Sequence, residues 1–571
     1  MFKFSKKVWI PLVTIFSAIV LTVIVLIVLT NTIWKVKLTV SAEQVENSQN
    51  IKVKWKISKE IDNIEIKVKH DGNIISSVVL SNPNDVFKGE YEIPAYYGKH
   101  IVSVSVSNKL FTTTEKQTVK VFADEYNIAP ITATMPVTIF SLSLMDKDNG
   151  IINNAEGNPI PTFVWFKRSE AWDYTNMPEN VYTMPMVNSN RITANADQSE
   201  IYSNTSKWVK ELYEINSNSK FNFFYNDYFA YGWLQATIAN GIPQSNYKVV
   251  LLSDGTASFS YFNKHFDNEN YATNYAKMVE KYNKLKTQIK SRKSYKEQLI
   301  NNFEIDANTI REYAYIMAKE EPNVEWWLTR VSGTMATNCP EMQNQINDLV
   351  SAGKIKVKDL KSLLFALTTE EQASLKQLYN FSDTMFEKAS NENKKIMVIL
   401  GTWTDTENKT NFDEYVKAVQ KYYGNDYVYY YKGHPRNPTN SVKGKLEHLN
   451  SLNLIDVDST IAAELIFFFN PDAYCTGYQS TTFVSLDDEH SCGIFNVRKD
   501  SFTESYKNNI DFFISMVEST DTKYGSLVDK KSCLLEFVKA TEYDIAIYDD
   551  SKNSMKYYKY NNETSSYDFV K

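Results

Sequence analysis

The run "VWIPLVTIFSAIVLTVIVLIVLTNTIW", Val8 to Trp34, carries no charged residue. A helix built on it is long enough to span a bilayer, so it constrains where everything after it can fold. Lys3, Lys6 and Lys7 precede the run, and the positive-inside rule then places the short basic N-terminus, residues 1–7, in the cytoplasm. Lys35 and Lys37 on the far side oppose that bias. A cleaved signal peptide has a shorter apolar core and a small-x-small cleavage site, and neither stands out here. The expectation is a single-pass signal anchor over residues 8–34, with the rest of the chain outside the cytoplasm.

The 571 residues suffice for three to four domains, and 43% hydrophobic content supplies their cores. A net charge of −6 argues against a general nucleic-acid-binding surface. Cys339, Cys475, Cys492 and Cys533 match no zinc spacing and make no disulfide framework; buried thiols are the expected state, with one long-range disulfide as the alternative. Residues 36–122 alternate apolar and polar side chains in "VKLTVSAEQ", "NIKVKWKIS", "NIEIKVKH" and "HIVSVSVSN", as half-buried strands do. Asp71-Gly72 between two such runs predicts a hairpin. With short turns and no helical pattern, this stretch is expected to form an immunoglobulin-like β-sandwich, without an inter-sheet disulfide. Its role would be a spacer, or a module that binds a glycan or partner.

From about residue 125 the pattern becomes α/β. "MPVTIFSLSLM" (135–145) and "PIPTFVWFK" (159–167) read as buried strands and "NTSKWVKELYEI" as a helix. "KFNFFYND" and "YKVVLLSDG" read as strands whose ends carry Asn226, Asp227 and Asp254. Residues 271–303 follow helical spacing, and 305–390 read as mainly helical. A second series begins with "KKIMVILG" and continues through "YVYYYKG", "DAYCTG" and "CGIFNV". Two such series predict two Rossmann-like lobes, 125–320 and 321–535, and a tail over 536–571 that would return to the first lobe.

Functional groups in open parallel sheets gather past the carboxyl ends of strands. Four such places stand out: Asp254 in "LLSDGTASF"; Gly401, Thr402 and Trp403 in "ILGTWTD"; Lys432, Gly433 and His434 in "YYYKGHPRNP"; and Ser480 and Thr481 in "DAYCTGYQSTTFVSL". These parts suit group transfer from an anionic donor. A helix N-terminus with Ser480 and Thr481 offers donors to a phosphate. A histidine confined by Pro435, between Lys432 and Arg436, would meet a leaving phosphate. Asp254 would be a general base on an acceptor hydroxyl, and Trp403 would stack on a sugar face. No HExxH, DxD or Cys/His cluster points to a metal, and the absence of GxxxxGK[ST] argues against ATP hydrolysis. Each feature alone has a plainer reading, as a turn, a loop or a helix cap; their order along a two-lobed chain is what lends them weight.

These residues resemble the bacterial sialyltransferases of glycosyltransferase family 80. "YYYKGHPR" is similar to the family's Lys-Gly-His-Pro-Arg motif after an aromatic strand. "IAAELIFFFNPDAYCTGYQSTTFVSL" resembles its Glu, Asp and Ser-Ser segment, "LSDGTASF" its Asp-Asp-Gly-Ser segment, "ILGTWTDTEN" its Gly-Thr-Thr-Thr-Trp segment, and "LTTEEQASL" (367–375) a helix entry in its linker. The resemblance covers roughly residues 220–500, and its wider span runs from 125 to the C-terminus. It implies a GT-B fold with the acceptor side in the first lobe and the CMP-sugar side in the second, and inverting, metal-independent transfer of sialic acid from CMP-sialic acid to a galactose-type hydroxyl of a glycan, with no cofactor. It further implies Asp254 as base and His434 on the CMP phosphate, with Ser480 and Thr481 holding that phosphate. Glu464 would bind the cytidine ribose, Lys432, Gly433, Gly401 and Thr402 would line the donor pocket, and Trp403 and Asn226 would face the acceptor. Several family members also carry an immunoglobulin-like domain before the catalytic part. Three departures bear on acceptor and linkage: Ser253 replaces the motif's first Asp, Thr481 replaces the second Ser, and the loop at Trp403 is one residue shorter. Transfer of another CMP-nonulosonic acid, polysialic acid polymerisation, and non-catalytic glycan binding are the alternatives.

Overall fold

A computed structural model of the protein describes residues 6–28, 37–58, 64–80, 88–108, 112–167, 172–184, 198–254, 271–291, 313–329, 339–401, 424–434 and 445–477, apart from residues 47, 149, 228 and 229. It also describes single residues such as Ser258 and Thr482, and five strands between 493 and 569. The chain divides into two compact units. One comprises residues 1–123 with 211–217, the other 124–210 with 218–571.

The first unit opens with the helix Lys6–Val28. Its side chains are described over residues 14–25 and are exposed there. Among the described residues no helix is long and apolar enough to cross a membrane. Seven antiparallel strands follow: β1 (Leu38–Gln44), β2 (Ile51–Ile57), β3 (Ile64–His70), β4 (Asn73–Leu80), β5 (Lys88–Ile93), β6 (Gly98–Ser107) and β7 (Thr112–Val121). They form two sheets, β1-β2-β5 and β4-β3-β6-β7. The alternation read from the sequence is the alternation of burial: Ile51, Val53 and Ile57, Ile64, Ile66 and Val68, and Val102, Val104 and Val106 are all interior. Asp71 (φ 48°) and Gly72 (φ 89°) are both left-handed, as a two-residue hairpin turn requires, and β3 pairs with β4 across them.

The second unit is mixed α/β. Its larger sheet holds β8 (Glu125–Thr132), β9 (Thr162–Lys167), β10 (Val181–Thr183), β11 (Lys220–Asn226), β12 (Tyr247–Leu252), β13 (Val324–Leu328) and β14 (Ile355–Val357), all parallel, in the order β10-β9-β8-β11-β12-β13-β14. The smaller sheet holds β15 (Lys395–Leu400), β16 (Tyr427–Lys432), β17 (Ile455–Val457) and β18 (Ala473–Gly477), also all parallel, in the order β17-β16-β15-β18. A third sheet runs β19 (Gly493–Arg498), β20 (Cys533–Val538), β21 (Ile545–Asp549), β22 (Ser554–Asn561) and β23 (Ser566–Phe569), so most of the tail forms antiparallel strands.

Two expectations need correction. Residues 135–145 are not a strand but lie in the helix Thr134–Met145, buried along nearly its whole length. A continuous apolar run has no periodicity to separate buried helix from buried strand, and Pro136 sits in the first turn, where its missing N–H is no loss. The strand of this region is β8, "EYNIAPIT". Its ladder to β11 ends at Ile128, so Pro130 deprives that side of no bond. Residues 305–390 also include β13 and β14, which carry the larger sheet to Val357, beyond the lobe boundary expected at 320.

The helix Leu360–Ala366 packs against both Thr134–Met145 and Ala463–Phe469 and so links the layers of the two parallel sheets. Beside it, Tyr379, just past the helix Thr369–Leu378, is buried with its hydroxyl 2.9 Å from Ser141 Oγ. Thr368 and Glu371 start that helix with a reciprocal capping box. Cys339 and Cys475 are buried thiols outside any disulfide, as expected.

In the helix Tyr231–Thr237, Gly232 lies against the buried rings of Tyr225 and Tyr202. An added methyl would overlap Tyr225 and press on Tyr202 at 3.0 Å. Gly232→Ala is therefore expected to destabilise the second unit by about 1–3 kcal/mol, read from urea denaturation of the full chain. An unchanged midpoint would show that the rings can move aside.

Candidate active site

Parallel pairing brings the carboxyl ends of neighbouring strands to one edge of each sheet. In the larger sheet Asn226 pairs with Leu252, and Leu252 with Trp327. The segments leaving β8, β11, β12 and β13 therefore share an edge. Asn226 is buried there, donating its amide to Thr132 O at 2.8 Å. Ser253 extends the pairing with β13 by donating its backbone N–H to Trp327 O. Asp254 follows, half-buried, with its N–H donated to Ser258 Oγ at 2.9 Å.

Asp227 is the residue that sequence reasoning left without a role. It is buried, and its Oδ2 accepts the indole N–H of Trp326 at 2.9 Å. Its Oδ1 has no hydrogen-bond partner among the described residues. Burial pushes its carboxyl up to about 7, and the nearby charge of Asp254 adds to the rise. Ser258, the Trp326 indole and the Asp254 amide pull it back only in part. Two carboxyl groups thus sit together at this edge with one held toward its neutral form. The only signal in the sequence was position, an acidic residue directly after a strand.

In the smaller sheet Leu400 pairs with Lys432 on one side and Gly477 on the other, and Lys432 pairs with Val457. This register collects Gly401, Gly433 with His434, and the segment after Gly477 at one edge. Gly401 donates its backbone N–H to Lys432 O at 3.0 Å. All six residues of β16 are buried, so the strand delivers a half-buried His434 from a rigid base. The Lys432 ammonium turns inward. It donates to Ser459 O at 2.9 Å and to Gly433 O at 3.3 Å, which binds the β16 loop to the loop after β17. Burial pulls this amine down to about 8, against the charges of Glu464 and Asp458.

Glu464 lies in the first turn of the helix Ala463–Phe469. Its buried Oε1 accepts the Thr482 hydroxyl at 2.9 Å. Burial raises its carboxyl, opposed by its own backbone amide, by Thr482 and by Lys432. Through Thr482 the chain beyond β18 is fastened to this helix. Thr402, Trp403, Ser480 and Thr481 lie outside the described residues, as do Pro435 and Arg436.

No family model and no curated protein matches the sequence. Solved structures do match. The GT-B domain of a sialyltransferase from Photobacterium damselae superimposes with a TM-score of 0.50 at 13% identity, over 70% of this chain and 97% of that one. An α/β-galactoside α-2,3-sialyltransferase from the luminous marine bacterium Photobacterium phosphoreum does so with a TM-score of 0.50 at 13% identity, over 73% and 99% of the two chains. The protein thus has a GT-B-like α/β fold.

The raised carboxyl of Asp227 has a testable sign. Unfolded, it titrates near 3.8; folded, near 7. Between these values the folded chain binds the extra proton, so this group's contribution to stability falls as pH rises from about 4 to about 7. Asp227→Asn is expected to remove on the order of a few kcal/mol of that loss across the interval, measured by urea titrations at several pH values. An equal slope in both proteins would place Asp227 in a wetter setting.

Proposed function

We propose that the protein is a sialyltransferase that moves sialic acid from CMP-sialic acid to a galactose-type hydroxyl of a glycan. The observation that carries this reading is the arrangement of the two parallel sheets. A half-buried Asp254 stands at the carboxyl edge of one, and a half-buried His434, two residues after the inward-turned Lys432, stands at that of the other, in a fold like that of the two Photobacterium enzymes.

In the proposed reaction the acceptor oxygen attacks the anomeric carbon of the donor. The bond from that carbon to the phosphate oxygen breaks, CMP leaves, and the configuration inverts. Asp254 takes the acceptor's proton. The neutral tendency of Asp227 supports this role, because one protonated carboxyl beside another favours the ionised state of the second. His434 donates to the departing phosphate, with Ser480 and Thr481 on its other oxygens. Glu464 receives the ribose hydroxyls, and Gly401, Thr402, Lys432 and Gly433 shape the donor pocket. Trp403 and Asn226 would face the acceptor; for Asn226, whose amide is already given to Thr132, that contact is indirect. The transfer is proposed to need no metal.

The seven-stranded domain is proposed to be immunoglobulin-like. Lettered A to G in chain order, its sheets read A-B-E and D-C-F-G, which differs from the constant-domain pattern only in pairing D with C rather than E. The uncharged run of residues 8–34 supports a membrane anchor with the transferase outside the cytoplasm.

Turnover by the full chain in detergent, with CMP-sialic acid and lactose in the presence of EDTA, tests the reading. His434→Ala and Asp254→Asn are each expected to lower the rate about 10²–10⁴-fold while the fold survives. Wild-type rates in both variants would refute the assignments, and failure of the folded wild type to turn over any CMP-sugar would refute the activity.

A further inference from the structure

The first unit contains a cluster of side chains unrelated to the transfer reaction. β3 ends at His70, the hairpin turn begins at Asp71, and His100 lies on the adjacent strand β6. His70 pairs with Val102, so His100, two residues from Val102, shares its face and is the diagonal neighbour of His70. His70 Nε2 and His100 Nδ1 are 2.9 Å apart. His100 Nδ1 and Asp71 Oδ2 are 2.9 Å apart, and His70 Nε2 and Asp71 Oδ2 are 3.3 Å apart. The three atoms form one small triangle.

The hydrogen bonds around the triangle determine what it can hold. His100 Nε2 lies 2.6 Å from the Tyr96 carbonyl, which can only accept, so Nε2 carries the proton. When the ring carries that proton alone, its Nδ1 presents a lone pair to the triangle. Asp71 Oδ1 accepts the Ile101 N–H at 2.7 Å, which turns Oδ2 toward the two rings. A proton on His70 Nε2 serves one neighbour at a time and still leaves Asp71 Oδ2 and His100 Nδ1 facing each other, lone pair to lone pair. A single cation above the triangle would satisfy all three atoms.

We propose that His70 Nε2, His100 Nδ1 and Asp71 Oδ2 form a binding site for a zinc-class divalent cation. Two imidazoles and a carboxylate suit zinc, whose ligands lie at about 2.0–2.2 Å in tetrahedral geometry, with neighbouring ligand atoms roughly 3.3 Å apart. The triangle is already close to that size. Both outer contacts, His100 Nε2–H to a backbone carbonyl and Asp71 Oδ1 to a backbone amide, are the kind that fix the orientation of metal ligands. His100 is fully buried, whereas the Asp71 side chain is about one-third exposed, which leaves a fourth position open to water or a ligand. The ion would fasten the β3–β4 turn to β6 in a domain that has no cysteine. The sequence carries no metal signature here because the histidines are thirty residues apart and meet only through strand pairing.

The test is titration of the metal-stripped full-length chain in detergent with Co²⁺, followed by Zn²⁺. The wild type is expected to bind one Co²⁺ with the visible absorption of a four-coordinate ion and to release it to Zn²⁺. Because His100 is buried, the variants are His70→Gln and Asp71→Asn; Asn tolerates the left-handed backbone at this position and can keep the bond from Ile101. With matching circular dichroism, each is expected to weaken binding at least about tenfold, while His434→Ala binds as the wild type does. Absence of stoichiometric Co²⁺ binding, undiminished binding in the cluster variants, or its loss in His434→Ala would overturn the proposal.

Discussion

A parallel strand can be followed by a parallel neighbour only after the chain has crossed back to its starting end. Every segment that leaves a carboxyl end in such a sheet therefore emerges on the same edge. In this protein the constraint acts twice, in the sheets β8–β14 and β15–β18. It makes Asn226, Asp227 and Asp254 neighbours although a 20-residue excursion separates β11 from β12. It likewise gathers Gly401, His434 and the chain after Gly477. The linking helices, with Tyr379 bonded to Ser141, hold the layers on which those edges are built.

The two edges are tuned differently. At the first, a carboxyl with too little hydrogen bonding is buried beside another, and the result is a group drawn toward neutrality. At the second, an ammonium and a carboxylate are buried within each other's field. Each keeps partners of its own, carbonyls for Lys432 and a hydroxyl for Glu464. Removing either charge alone would leave the other buried and under-compensated, which is a costly state. Lys432 thus ties the loop that carries His434 to the loop after β17.

Much of this was legible in the sequence. "KFNFFYND", "YKVVLLSDG", "KKIMVILG" and "YVYYYKG" read as strands because each is a short apolar run stopped by a polar or glycine-containing turn. The Asp71-Gly72 hairpin was equally plain. The errors have physical causes. Pro130 hid β8 because proline is rare inside strands, and the apolar run after it took its place although it folds as a helix. "VEWWL", which is β13, was hidden among helical segments. The pairing of Asp227 with Trp326 and the His70–Asp71–His100 triangle depend on contacts between strands, and no linear pattern encodes those contacts.

The claim at the centre of this account is that the β15–β18 edge is a nucleotide pocket organised by Glu464. Calorimetric titration of the full-length chain with CMP measures it directly. Saturable one-to-one binding is expected, weakened at least about tenfold by Glu464→Gln and left intact by Asp254→Asn on the other sheet. A folded wild-type protein that binds no CMP, or binding indifferent to Glu464, would contradict it.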